Sequence, residues 1–200
     1  MATSNGTGVQ RGSNGRAPRR RRSGNSGDGS TANPGLLRHQ ARALALQALY
    51  EVELTGHEPR QALANIIEGV GDDADVEDTE ARLALHPVVQ GYVERLVHGV
   101  LLHLYKIDPL LEEFAPAFNK EQTPAVDRSV LRLATYELLY EREVPPKVAI
   151  NEAVELAKRF GGERSGGFIN GVLGRVLDRR EELAAGRGAA KSGDTNTPPR

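Results

Sequence analysis

Residues 144–177 read VPPKVAINEAVELAKRFGGERSGGFINGVLGRVL, and this stretch decides the fold. Ile150, Ala153, Val154 and Ala157 recur at the i, i+3, i+4, i+7 spacing of a single helical face. Asn151, Glu152, Glu155, Lys158 and Arg159 take the other faces, with Glu155 four residues before Arg159, a favourable helical pair. Gly161 and Gly162 stand where such a helix needs a left-handed stop. A second helix can begin at Ser165, an N-cap residue type. Its apolar stripe is Ile169, Val172, Leu173, Val176 and Leu177. Phe168 falls off the centre of that stripe, so it reads either as the edge of the core or as a surface aromatic.

The pattern extends outward from this hairpin. Upstream, Ala125–Glu141 is apolar almost all round: Val126, Val130, Leu131, Leu133, Ala134, Leu138 and Leu139, with Tyr136 and Tyr140. A helix of that kind is buried on several sides and is expected to be the spine of the fold. Leu37–Leu54 predicts the first helix, stopped by Gly56, and Pro59 opens a second to about Ile67. Residues 68–80, EGVGDDADVEDTE, carry no stripe and predict a loop. Pro87 opens a longer helix to about Tyr105. Asp108–Pro109 and Thr123–Pro124 each look like a helix start, the former of a short helix ending before Pro116. No alternating strand pattern occurs, which predicts an all-α bundle of about seven helices in a single domain, 36–185.

Composition separates this body from its ends. Residues 1–35 are Gly, Ser, Asn, Thr and Arg with almost no apolar side chain, and predict a disordered basic arm centred on Arg19–Arg22. Residues 186–200 predict a second disordered tail. The arm holds six Arg and one Asp (+5) and the tail three cations and one Asp (+2), so a net charge of −1 leaves −8 for the body. An acidic body with basic extensions is no generic nucleic-acid binder. Any RNA contact is expected through a restricted basic patch or with a partner. The chain has no Cys, which excludes disulfides and cysteine metal sites and agrees with a reducing cytoplasm. No apolar run approaches the ~20 residues of a membrane span.

Catalytic chemistry finds little support. There is no Cys nucleophile and no phosphate-cradling glycine motif followed by Lys and Ser/Thr. His39, His57, His86, His98 and His103 have no ligand partners at metal-binding spacing and read as surface or helix-end residues. No metal, cofactor or enzymatic activity is expected. The start of the first helix is more informative. Arg38, His39 and Arg42 lie within about 100° of arc in its opening turn. Cations there oppose the helix dipole, which suits an anionic ligand at the free N–H groups. The alternative is pairing with the carboxylates of the acidic body.

Three blocks, RHQARALALQALYEVEL (38–54), VDRSVLRLATYELLYEREVP (126–145) and PPKVAINEAVELAKRFGGERSGGFINGVL (145–173), together resemble the bacterial transcription antitermination factor NusB family over roughly residues 36–180. The resemblance implies two helical subbundles about a shared centre. It implies a non-catalytic factor that binds boxA-like single-stranded RNA together with NusE, a small-subunit ribosomal protein. The pair would then serve RNA polymerase during ribosomal RNA transcription. Arg38 and Arg42 match the family's arginine-rich first helix, but His39 and Gln40 stand where relatives often have Arg. Phe168 and Asn170 match the start of the last helix, where Phe168 would stack a base. Lys147 and Lys158 would add phosphate contacts. Gly167 replaces a usual Lys and Arg164 a usual Asp, so basicity here is displaced. Asp127, Glu163 and Arg164 are expected to face NusE. Alternatives are an RNA-targeting domain like those fused to ribosomal RNA cytosine methyltransferases, though the chain ends soon after its last helix, and a structural homodimer.

Overall fold

The computed structural model describes residues 33–73, 83–116, 118 and 122–191. The Arg19–Arg22 arm, the end of the acidic loop and residues 192–200 lie outside them. Among the described residues there are six helices and no strand: α1 Pro34–Thr55, α2 Pro59–Asp73, α3 Pro87–Phe114, α4 Ala125–Tyr140, α5 Pro146–Phe160 and α6 Ser165–Lys191. α1 packs on α2 and α3, and α5 packs on α6. α4 touches α1 and α3 on one side and α5 and α6 on the other. This is the expected all-α fold of two subbundles, with α4 as its spine.

The spine is buried on both sides, its apolar residues against the neighbouring helices and its polar residues Asp127, Arg128, Ser129, Thr135 and Glu137 along with them. Val130, Leu131, Leu133, Ala134 and Leu138 are at most 2% exposed. α1 can approach it closely because Ala41, Ala45 and Ala48, all at 0%, form its inner face. α3 approaches through Gly99, where an added Cβ would lie 2.2 Å from the Tyr136 ring, so only glycine permits this crossing. Tyr136 and Tyr140 stack at 5.4 Å between centroids, with His103 4.0 Å from Tyr140.

Helix ends differ from expectation in four places. α1 starts at Pro34, three residues before Leu37, because Asn33 caps it: the Gly35 N–H donates to Asn33 Oδ1 at 2.9 Å. Its end is as expected, with Gly56 at φ 72° donating its N–H to the Val52 carbonyl. α2 continues beyond Ile67 to Asp73; Glu68 and Gly69 there are exposed, which is why no apolar stripe marks the extension. α6 runs to Lys191, past the boundary at 185. Lastly, Asp108–Pro109 does not open a new helix but lies inside α3. An interior proline costs about 3 kcal/mol. Ile107 and Leu111, both at 0% exposure, are one turn apart on the buried stripe, and burying them contributes roughly 3–6 kcal/mol. Continuity therefore wins. Pro109 itself is exposed, and Asp108 binds Arg132 at 2.8 Å with both carboxylate oxygens instead of capping.

Candidate nucleic-acid interface

The residues expected to form one basic patch separate into three environments. Arg42 is a correction. It is 2% exposed and faces inward, because Ala45, Leu46 and Leu49 of the apolar stripe follow at three, four and seven residues. Its Nε donates to both oxygens of Glu137 on the spine at 3.0 Å. Nη2 lies 2.9 Å from Glu137 Oε1 as an ion-pair contact, and Nη1 lies 3.6 Å from Glu152. The Tyr92 hydroxyl donates to Glu137 Oε1 at 2.7 Å. Burial works against the Arg42 charge, but the hydrogen bonds and charge of Glu137, with Glu152, outweigh it and raise the pKa. Burial, then the charge of Glu137, pushes the Tyr92 phenol up as well. Four helices meet in this network, and the Arg42 guanidinium inside it cannot reach RNA.

Arg38 remains at the surface. It is 47% exposed and its nearest carboxylate, Glu143, is 3.9 Å away and 83% exposed. His39 is half-way: its Nδ1 lies 2.8 Å from Glu152 Oε2, so one ring nitrogen is committed to α5. Lys147, at the start of α5, is exposed. Lys158 is 61% exposed and pairs with Glu155 at 2.8 Å. Its stem lies against α6, where a Cβ on Gly166 would be 3.3 Å from Lys158 Cγ.

Around the α5–α6 turn a hollow of ≈ 510 Å³ is lined by Gln122, Thr123, Pro124, Asp127, Gly162, Glu163, Arg164, Ser165 and Phe168. Phe168 is half-buried: it packs against the core and also lines the hollow. Glu163, Arg164 and Asn170 are exposed. Asp127 is the second correction. At 4% exposure it forms no acidic face. Ser165 Oγ donates to its Oδ2 at 2.9 Å and accepts from the Gly162 N–H at 2.9 Å, which locks the α5–α6 turn onto the spine. Asp127 sits in the first turn of α4, where an acid would ordinarily accept from the N-cap N–H; here the N-cap is Pro124, which has none. Its Oδ1 accordingly finds no hydrogen-bond partner.

The histidines serve the fold. His57 contacts Glu51 at 3.0 Å, His86 caps α3 at the Val88 N–H, and His98 and His103 bond the carbonyls of Glu94 and Gly99. Among the described residues no helix is long and apolar enough to cross a membrane. Sequence reasoning missed Tyr92, Glu137 and Glu152. The available signal was a lone Arg in the apolar stripe of one helix and a Glu set among the apolar residues Leu133, Ala134 and Leu138 of the spine.

Known proteins agree with this architecture. The NusB family model matches residues 39–178. A transcription antitermination protein NusB from Roseiflexus castenholzii is 40% identical over 75% of this chain and 98% of its own length. The solved NusB of T. maritima is 34% identical, covering 70% of this chain and 90% of that one at a TM-score of 0.56. A NusB solved with NusE and double-stranded RNA shares the fold at 24% identity and a TM-score of 0.59, over 72% of this chain and 98% of that one. The family match spans the hairpin, the spine and the first helix from residue 39 onward, and on that ground the chain belongs to the NusB family.

Proposed function

We propose that this protein is a non-catalytic antitermination factor that holds boxA-like single-stranded RNA jointly with a NusE-type ribosomal protein during ribosomal RNA transcription. Family membership supports the class of function. The observation that carries the RNA reading is the half-buried Phe168 lining an open hollow. An aromatic fixed on one side by the core offers a low-entropy stacking surface to a base, worth ~1–3 kcal/mol. Arg38, Lys147 and Lys158 are exposed cations of a body whose net charge is −8. They serve as phosphate contacts, with His39 and Asn170 beside them. Arg42 and Asp127 have positioning roles: one fixes α1 to the spine, the other fixes the Phe168 turn. Exposed Glu163 and Arg164 remain for the protein partner, whose basic surface the acidic body complements.

Two substitutions test this by fluorescence anisotropy on a labelled boxA-like RNA. Phe168→Ala is expected to weaken binding at least roughly fivefold, as loss of one stacked base implies. Arg38→Glu is expected to weaken it and lower the salt dependence by about one phosphate contact. Both variants should keep the wild-type helical circular dichroism. Unchanged affinity in both would remove the RNA face from this surface.

A further inference from the structure

A second hollow opens where the start of α1 meets the first half of α3 and the α4–α5 turn. Its volume is ≈ 390 Å³, and it is lined by Pro34, Leu37, Arg38, Val88, Gly91, Tyr92, Arg95 and Glu143. This falls within the ~300–1,000 Å³ of small-ligand sites. We infer that this hollow receives one nucleotide of the RNA strand, its base on the apolar floor and its phosphate between Arg38 and Arg95. The inference rests on the RNA reading above, since Arg38 belongs to both.

Three observations carry it. Leu37 and Tyr92 are 8% and 7% exposed, so they form a packed apolar floor that costs little to cover. Two arginines stand over it, Arg38 at 47% and Arg95 at 55% exposed, against one lining carboxylate, Glu143. The lining is thus net positive in a body that carries −8. The Arg95 guanidinium lies 4.8 Å from the Tyr92 ring centroid and its Nε 3.3 Å from Glu141 Oε1. A planar cation held over a ring leaves its charge available to an anion at the mouth while extending the stacking surface. The Arg38–Glu143 pair is long and solvent-exposed and therefore weak, so a phosphate displaces the carboxylate readily. An apolar, aromatic-edged floor flanked by exposed guanidinium groups matches a nucleotide better than it matches an aliphatic peptide side chain. Arg95 also supplies a cation to a face that loses Arg42 to the interior.

Gly91 allows a test that leaves the charges alone. It is exposed in mid-helix, and a Cβ there would meet nothing within 4 Å. Gly91→Leu therefore fills the hollow and raises helix propensity together. Anisotropy titrations of the full chain with labelled boxA-like RNA, over a series of KCl concentrations, should show Gly91→Leu weakening binding on the order of tenfold with an unaltered salt slope. Arg95→Ala should weaken it similarly and lower the slope by roughly 0.7, one single-strand phosphate contact. RNAs trimmed one nucleotide at a time from each end should reveal a nucleotide whose loss costs wild type affinity and costs Gly91→Leu nothing. Wild-type affinity and slope in both variants would overturn the inference and leave the RNA reading standing. So would loss of ribosomal-protein binding with RNA binding intact. No RNA binding by wild type would instead sink the RNA reading itself.

Discussion

Glu137→Ala is expected to lower stability by about 3–5 kcal/mol, the cost of removing one partner from a buried ion pair. Without the carboxylate, the Arg42 guanidinium stays at 2% exposure with the 3.6 Å contact to Glu152 as its remaining counter-charge, and the Tyr92 hydroxyl loses its acceptor. For a domain of this size that corresponds to a fall in Tm of roughly 6–20 °C, read by thermal circular dichroism. Arg42→Glu should do at least as much harm, since it sets two carboxylates against each other in the core. The double variant Arg42→Met with Glu137→Leu should recover most of the loss, short of the ~1–3 kcal/mol for the stranded Tyr92 hydroxyl. A small effect of Glu137→Ala would mean that Arg42 reaches solvent and that its placement here is wrong. The pair also governs how any Arg42 variant is read: loss of RNA binding there would report unfolding and not a lost phosphate contact.

The second large effect belongs to Glu53, which joins α1 to the spine. Its Oε1 accepts from Arg128 Nε at 2.8 Å and lies 2.7 Å from Arg128 Nη2; its Oε2 lies 3.0 Å from Arg132 Nη1. Both the Glu53 and Arg128 side chains are below 10% exposure. Glu53→Ala leaves two guanidinium groups short of a counter-charge, at about 3 kcal/mol. The bidentate bond of Arg132 to Asp108 limits the damage, because burial works against the Arg132 charge but Asp108 and Glu53 together raise its pKa. Urea denaturation should show the loss as a lower midpoint at constant slope. Glu155→Ala serves as the contrast: its pair with Lys158 is some 60% exposed on both sides, and its loss should lower stability by less than about 0.5 kcal/mol in the same titration.

The fold was legible because its signals are local. Stripes at helical spacing, Gly56 and the glycines after Phe160 placed the helices, and the apolar circumference of α4 identified the spine. Where expectation failed, a tertiary term had overridden a local rule. Pro109 is a start signal in isolation, yet Ile107 and Leu111 bury more than the proline costs. The functional surface was legible only in part for a related reason. A charge in an opening helical turn has two outcomes, ligand or ion pair, and the choice depends on which helix packs beside it. Arg42 meets Glu137, ninety-five residues away, and turns inward; Arg38, one helical turn earlier, meets only the exposed Glu143 and stays out. Asp127 was read as a surface acid because nothing near it in sequence signals Ser165. Arg95 carries no local signal, being an isolated cation on the exposed side of a long helix.

The central claim is that RNA and a ribosomal protein bind one surface region together. It is tested most directly by titrating the wild-type protein with labelled boxA-like RNA, alone and with saturating NusE. Joint binding predicts weak, salt-sensitive affinity alone and at least several-fold tighter binding with NusE, with the same factor recovered when RNA is added before NusE. Equal affinity in both arms, or no RNA binding in either, would contradict it.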